Sequence, residues 1–164
     1  MNEFDDLLDA NRQFADDFGL TGFDGIARAG VAMVTCMDSR IAPLQMIGLE
    51  PGDAKIMRNP GGRVTDQVLV ALVLGASLLQ VKRVLVVEHT RCAMATSTED
   101  ELKTRISEAT GSDASWMTLG AIVDQQATIR ADVHRVTSHP LIPADVSVGG
   151  FLYDVDTSLL QPVV

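Results

Sequence analysis

The chain has 164 residues, 46% of them hydrophobic and 21% charged, which suits a globular domain with its own core. A net charge of -9 argues against a nucleic-acid partner, because phosphate binding needs an excess of Lys and Arg. The acidic start Met1-Asn2-Glu3-Phe4-Asp5-Asp6 lacks the basic region of a secretory signal, and the apolar stretch 67–81 is too short to span a bilayer, so a cytoplasmic protein without membrane contact is expected.

Residues 3–18 carry Phe4, Leu7, Leu8, Phe14, Ala15 and Phe18 on one stripe of a helix, with Gly19 as its stop. That stripe needs a surface to cover, in this domain or on a neighbouring subunit. Val31–Thr35 reads as a buried strand, followed by the polar word Cys36-Met37-Asp38-Ser39-Arg40. Ile41–Ile47 is expected as a short helix and Ala54–Met57 as a second strand, ending in the glycine-rich loop Arg58-Asn59-Pro60-Gly61-Gly62. Thr65 is placed to cap a core helix from Asp66 to about Gln80. A third strand, Arg83–Glu88, runs into His89-Thr90-Arg91-Cys92. Thr98 can cap a helix through about Ala109, a further helix is expected over about Leu119–His134, and Val146–Asp154 reads as a last strand with Gly149-Gly150 as a bulge. Residues 1–164 show no repeat or linker and read as a single domain. Strands alternating with helices imply a mostly parallel sheet.

The only two cysteines and one of three histidines thus fall at strand ends, where open α/β sheets place their chemistry. Cys36, Cys92 and His89 form a zinc donor set with one tetrahedral position left over, the pattern of a catalytic metal. The strands bearing them must be neighbours, with the second strand outside the first. Asp38 and Arg40 lean to the same side as Cys36 if the chain stays extended. Arg40 can hold Asp38 ionised to accept a proton from a zinc-bound hydroxide; released, Asp38 could take the vacant zinc position itself. Asn59, Gly61 and Gly62 could bring backbone N–H groups to a small anion or polarised oxygen. Arg58 and Arg63 read as added positive potential or solvated charge, and His134 and His139 as ordinary surface histidines.

Taken together, Cys36-Met37-Asp38-Ser39-Arg40, Arg58-Asn59-Pro60-Gly61-Gly62 and His89-Thr90-Arg91-Cys92-Ala93-Met94 resemble the β-class carbonic anhydrases, in order and in separation. The resemblance implies a four-stranded, mainly parallel sheet flanked by helices. It implies one zinc ion per chain on Cys36, His89 and Cys92, with Asp38 and Arg40 as catalytic dyad. It further implies a lyase that hydrates carbon dioxide to bicarbonate and a proton, and a homodimer or dimer of dimers whose N-terminal helix packs on the partner subunit. Ala93 stands where the family commonly has glycine, Pro60 where it commonly has alanine, and Arg91 sets a cation between two ligands. Hydrolysis of carbon disulfide or carbonyl sulfide on the same site, a non-catalytic zinc or anion-binding module, and a thiol redox protein are the alternatives.

Overall fold

The computed structural model describes residues 3–164; Met1 and Asn2 of the acidic start lie outside the described residues. The β-branched runs form strands β1 (Val31–Cys36), β2 (Ala54–Asn59), β3 (Arg83–His89) and β4 (Ser147–Tyr153), all parallel. A fifth strand, β5 (Leu160–Pro162), pairs antiparallel with β4, so the expected four-stranded sheet is extended to five in the order β2-β1-β3-β4-β5. Only three residues long and containing Pro162, β5 has little sequence signal, and an edge is where a sheet tolerates proline. From β1 the chain steps outward to β2, then crosses back past β1 to β3. The reversal opens a crevice at the C-terminal ends of β1 and β3.

Helix α1 (Asp5–Asp16) ends short of Gly19 and buries none of its residues in this chain. Phe4, Leu7, Leu8, Phe14 and Phe18 are all exposed, so the surface that covers this stripe is not its own domain. The expected helix after Cys36 shrinks to one 3-10 turn over Gln45–Ile47. Pro43 restricts Ala42 and Gly48 ends the turn, leaving no room for a full helix.

Helix α2 (Asp66–Leu78) is capped as expected, with Thr65 Oγ1 accepting from Val68 N at 3.4 Å. Helix α3 (Glu99–Thr110) has a full capping box of Thr98 and Glu101. Helix α4 (Gln125–Thr137) starts later than the sequence suggests, at Asp124, whose carboxylate accepts from Ala127 N at 3.0 Å. Leu119, Gly120 and Ala121 instead donate their N–H groups to Glu99 at 2.6, 3.0 and 3.0 Å. A contact across 20 residues thus removes them from the helix.

One sheet face packs Ala32, Val34, Val84 and Val86 against Val68, Leu72, Val133 and Val136 of α2 and α4. The other face gathers Met33, Val87 and Tyr153 with Ile41 and the cysteines. Gly149 and Gly150 form no bulge: they keep regular register with Leu85 and Val86. A Cβ at Gly150 would run into Ile129 Cγ2 and lie 3.0 Å from Val133 Cγ2, so glycine there lets α4 close onto the sheet.

Candidate metal centre

Cys36 is the last residue of β1 and His89 the last of β3, and Cys92 follows on the short loop beyond. Strand adjacency therefore brings residues from distant parts of the chain to one rim. One donor atom from each lies within 4.8 Å of the others, and all three residues are buried. The two sulfurs are 4.0 Å apart. His89 Nδ1 donates to the Thr90 carbonyl at 2.9 Å, which selects the tautomer and leaves Nε2 as acceptor. Nε2 is buried, makes no hydrogen bond of ordinary geometry and lies 3.8 Å from Asp38 Oδ2. A buried ring nitrogen left over beside two sulfurs is unfavourable unless a cation takes its lone pair. The residues fit zinc in chemistry and in burial.

The electrostatics favour thiolate at Cys36. The Cys92 thiol, hydrogen-bonded to it, lowers the Cys36 pKa against the opposing effect of burial; His89 and the N–H groups of Asp38 and Gly61 lower it further. Cys92 is raised by that same contact and by burial, so the pair shares one proton in the absence of a cation. Burial works to neutralise His89, but its contacts with Cys36, Thr90 and Asp38 outweigh it and raise the imidazole.

Asp38 and Arg40 meet in a two-point contact, Nε to Oδ1 at 2.9 Å and Nη2 to Oδ2 at 2.7 Å. Arg40 holds the Asp38 carboxyl well below the usual carboxylate range, although burial opposes this. The glycine-rich loop is closed by Asn59, whose amide donates to the Arg63 carbonyl at 2.7 Å and accepts from Arg63 N at 2.8 Å. The Gly61 N–H serves the Cys36 sulfur. Gly62 has φ 72° and a Cβ there would stand 2.7 Å from the Val87 carbonyl and 2.9 Å from Cys36 N, so the loop can seat against both strands only as glycine.

Several contributors were not legible beforehand. Arg58 is neither diffuse potential nor solvated: it donates to the Cys36 carbonyl at 3.0 Å and the Asp38 carbonyl at 2.6 Å, bracing the first polar word. Arg63 grips Asp132 at 2.8 and 3.2 Å, and Asp132 also accepts from Val64 N. Gln125 donates to the His89 carbonyl at 2.9 Å from the start of α4. Glu88 is fully buried next to His89; an acid ending an otherwise apolar strand was the available signal. His139 accepts from Leu141 N and lines an apolar groove with Leu69, Val70 and Leu74.

A parallel α/β sheet with a buried Cys-His-Cys donor set at its switch point, beside an Asp–Arg pair, defines the β-class carbonic anhydrase architecture. The profile of the family described as carbonic anhydrase matches residues 31–160. Beta-carbonic anhydrase 1 of Mycobacterium tuberculosis is 33% identical over 133 residues, 81% of each chain. The crystal structure of carbonic anhydrase from Streptococcus mutans superposes with a TM-score of 0.89 at 35% identity, covering 100% of this chain and 99% of the other. A carbon disulfide hydrolase of Acidianus is 29% identical over 181 residues, spanning 95% of this chain and 88% of that protein. The chain belongs to the carbonic anhydrase family, as a lyase of the β class.

Proposed function

We propose that this protein catalyses the reversible hydration of carbon dioxide to bicarbonate and a proton, with one zinc ion per chain on Cys36, His89 and Cys92. The observation that carries the reading is the buried donor set, within 4.8 Å and with Nε2 of His89 left over, beside an ionised Asp38. Zinc bound there would act as a Lewis acid that makes water nucleophilic near neutral pH. The chain's own residues do the rest. Arg40 keeps Asp38 charged and fixes its direction. Asp38 then accepts the hydrogen bond of the attacking water and aims its lone pair at the substrate carbon. Arg58 holds the backbone that carries both Cys36 and Asp38. Ile41 and Met94, packed with the cysteines, supply apolar walls suited to a nonpolar substrate.

Two exposed apolar faces, the α1 stripe and Val70, Leu74 and Leu78 of α2, support a homodimer in which a second copy covers them. No described helix is long and apolar enough to cross a membrane. Two unpaired buried cysteines support a reducing compartment such as the cytoplasm.

Stopped-flow hydration by zinc-loaded protein, beside Cys36→Ser, tests the reading. Native protein should hold one zinc per chain and be active, and the variant should lose both. Absence of zinc-dependent hydration from about pH 6 to about pH 9 refutes it. The similarity to carbon disulfide hydrolases gives a second reading on the same residues, hydrolysis of carbon disulfide, which wins if that substrate alone turns over.

A further inference from the structure

Arg91 stands between two candidate ligands and has no part in the mechanism above. Its backbone is left-handed, with φ 55°, a conformation costly for a side-chain-bearing residue and enriched at functional sites. Its carbonyl accepts from Arg40 Nη2 at 3.3 Å, and its guanidinium donates to Asp156 at 2.5 Å. Asp156 sits on the turn joining β4 to β5. Asp154 Oδ1 accepts from the N–H groups of Asp156 and Thr157 at 2.8 and 3.2 Å and stiffens that turn. Val155 N donates to Thr90 Oγ1 at 3.1 Å, and Thr90 N donates to the Tyr153 carbonyl at 2.9 Å. The turn is thus strapped to the His89–Cys92 loop, and Asp156 lies near enough to favour the charged form of Arg40. Asp38, Arg40, Asp156 and Arg91 alternate in sign along the rim.

We propose that Asp156 is a second carboxylate competing for Arg40, and that Arg91, by occupying Asp156, keeps Arg40 on Asp38; Arg91 and Asp156 are positioning residues of the dyad. Without Arg91, Asp156 draws Arg40 away. Asp38 is then free beside the donor set, 3.8 Å from His89 Nε2, and carboxylates are themselves zinc ligands. Arg91 and Asp156 are both largely exposed, so each pairing is weak and the balance shifts modestly.

The zinc arm of the test rests on the proposed function; the metal-free arm does not. Full-length Arg91→Gln and the double variant Arg91→Gln, Asp156→Asn are compared with the native protein. Arg91→Gln is expected to surrender zinc to excess chelator about two- to fivefold more slowly, as Asp38 joins the ligands, with hydration lowered by a similar factor. The double variant is expected to return both to native values. In metal-free protein, the Arg40 Nε–H resonance should shift in Arg91→Gln and return in the double variant. A native protein that binds no zinc sinks the proposed function and leaves this resonance to judge the pairing. A resonance unmoved by Arg91→Gln, or moved equally with and without Asp156, overturns the inference.

Discussion

Replacing Glu88 by glutamine should make the protein more stable at alkaline pH and leave it nearly unchanged in acid. Glu88 is 0% exposed, and neither of its carboxylate oxygens makes a hydrogen bond of ordinary geometry. Burial pushes its carboxyl up to about 7 from an ordinary 4.5; Gln125, Arg63 and His89 draw it down and Asp132 adds to the rise. In the unfolded chain Glu88 ionises near 4.5, and in the folded chain near 7. Between those values the folded protein holds a proton the unfolded chain has released, so stability falls as pH rises, and the full penalty is present above the folded value. At 1.36 kcal/mol per pH unit the gap amounts to about 3 kcal/mol. Glutamine keeps the shape and has no proton to lose. Urea unfolding of native and Glu88→Gln proteins at equal zinc saturation, at about pH 5 and about pH 8, reads the difference. The variant's advantage should grow towards about 3 kcal/mol at the higher pH. An advantage that is the same at both pH values, or a native protein that is the more stable one at pH 8, refutes the reasoning.

Asp38→Asn should retain zinc and lose about 10²- to 10⁴-fold in hydration rate, because the amide cannot act as the charged acceptor; stopped-flow rates at native level would remove Asp38 from the mechanism. Gly150→Ala should lower stability by about 1–3 kcal/mol, since its methyl group meets Ile129 and Val133 on α4; an unchanged urea midpoint would show that α4 yields freely. Leu7→Asp with Phe14→Asp should convert a dimer to monomer in light scattering, because it charges the exposed α1 stripe. An unaltered mass would place the subunit contact elsewhere.

Much of the site was readable because its signals are local. Cys36 and His89 terminate β-branched runs, and a strand's end is marked by its own residues. The spacing of Asp38 and Arg40 is enough to allow their two-point contact. Thr65 and Thr98 cap helices whose first turns they precede directly. The neighbouring positions of β1 and β3 were deduced from the donor set's own requirements, and the sheet order agrees.

What the tertiary structure decided is which distant groups meet. Residues 119–121 have helical composition but give their N–H groups to Glu99. Gly149 and Gly150 look like a bulge until α4 arrives above them. Arg58 takes its task from the Cys36 and Asp38 carbonyls, and Glu88 its raised pKa from a burial that no neighbouring residue announces. Periodicity and capping are short-range properties that a linear chain records. Desolvation, close approach and the choice of hydrogen-bond partner depend on what the folded backbone brings into contact, and those were set only when the sheet closed.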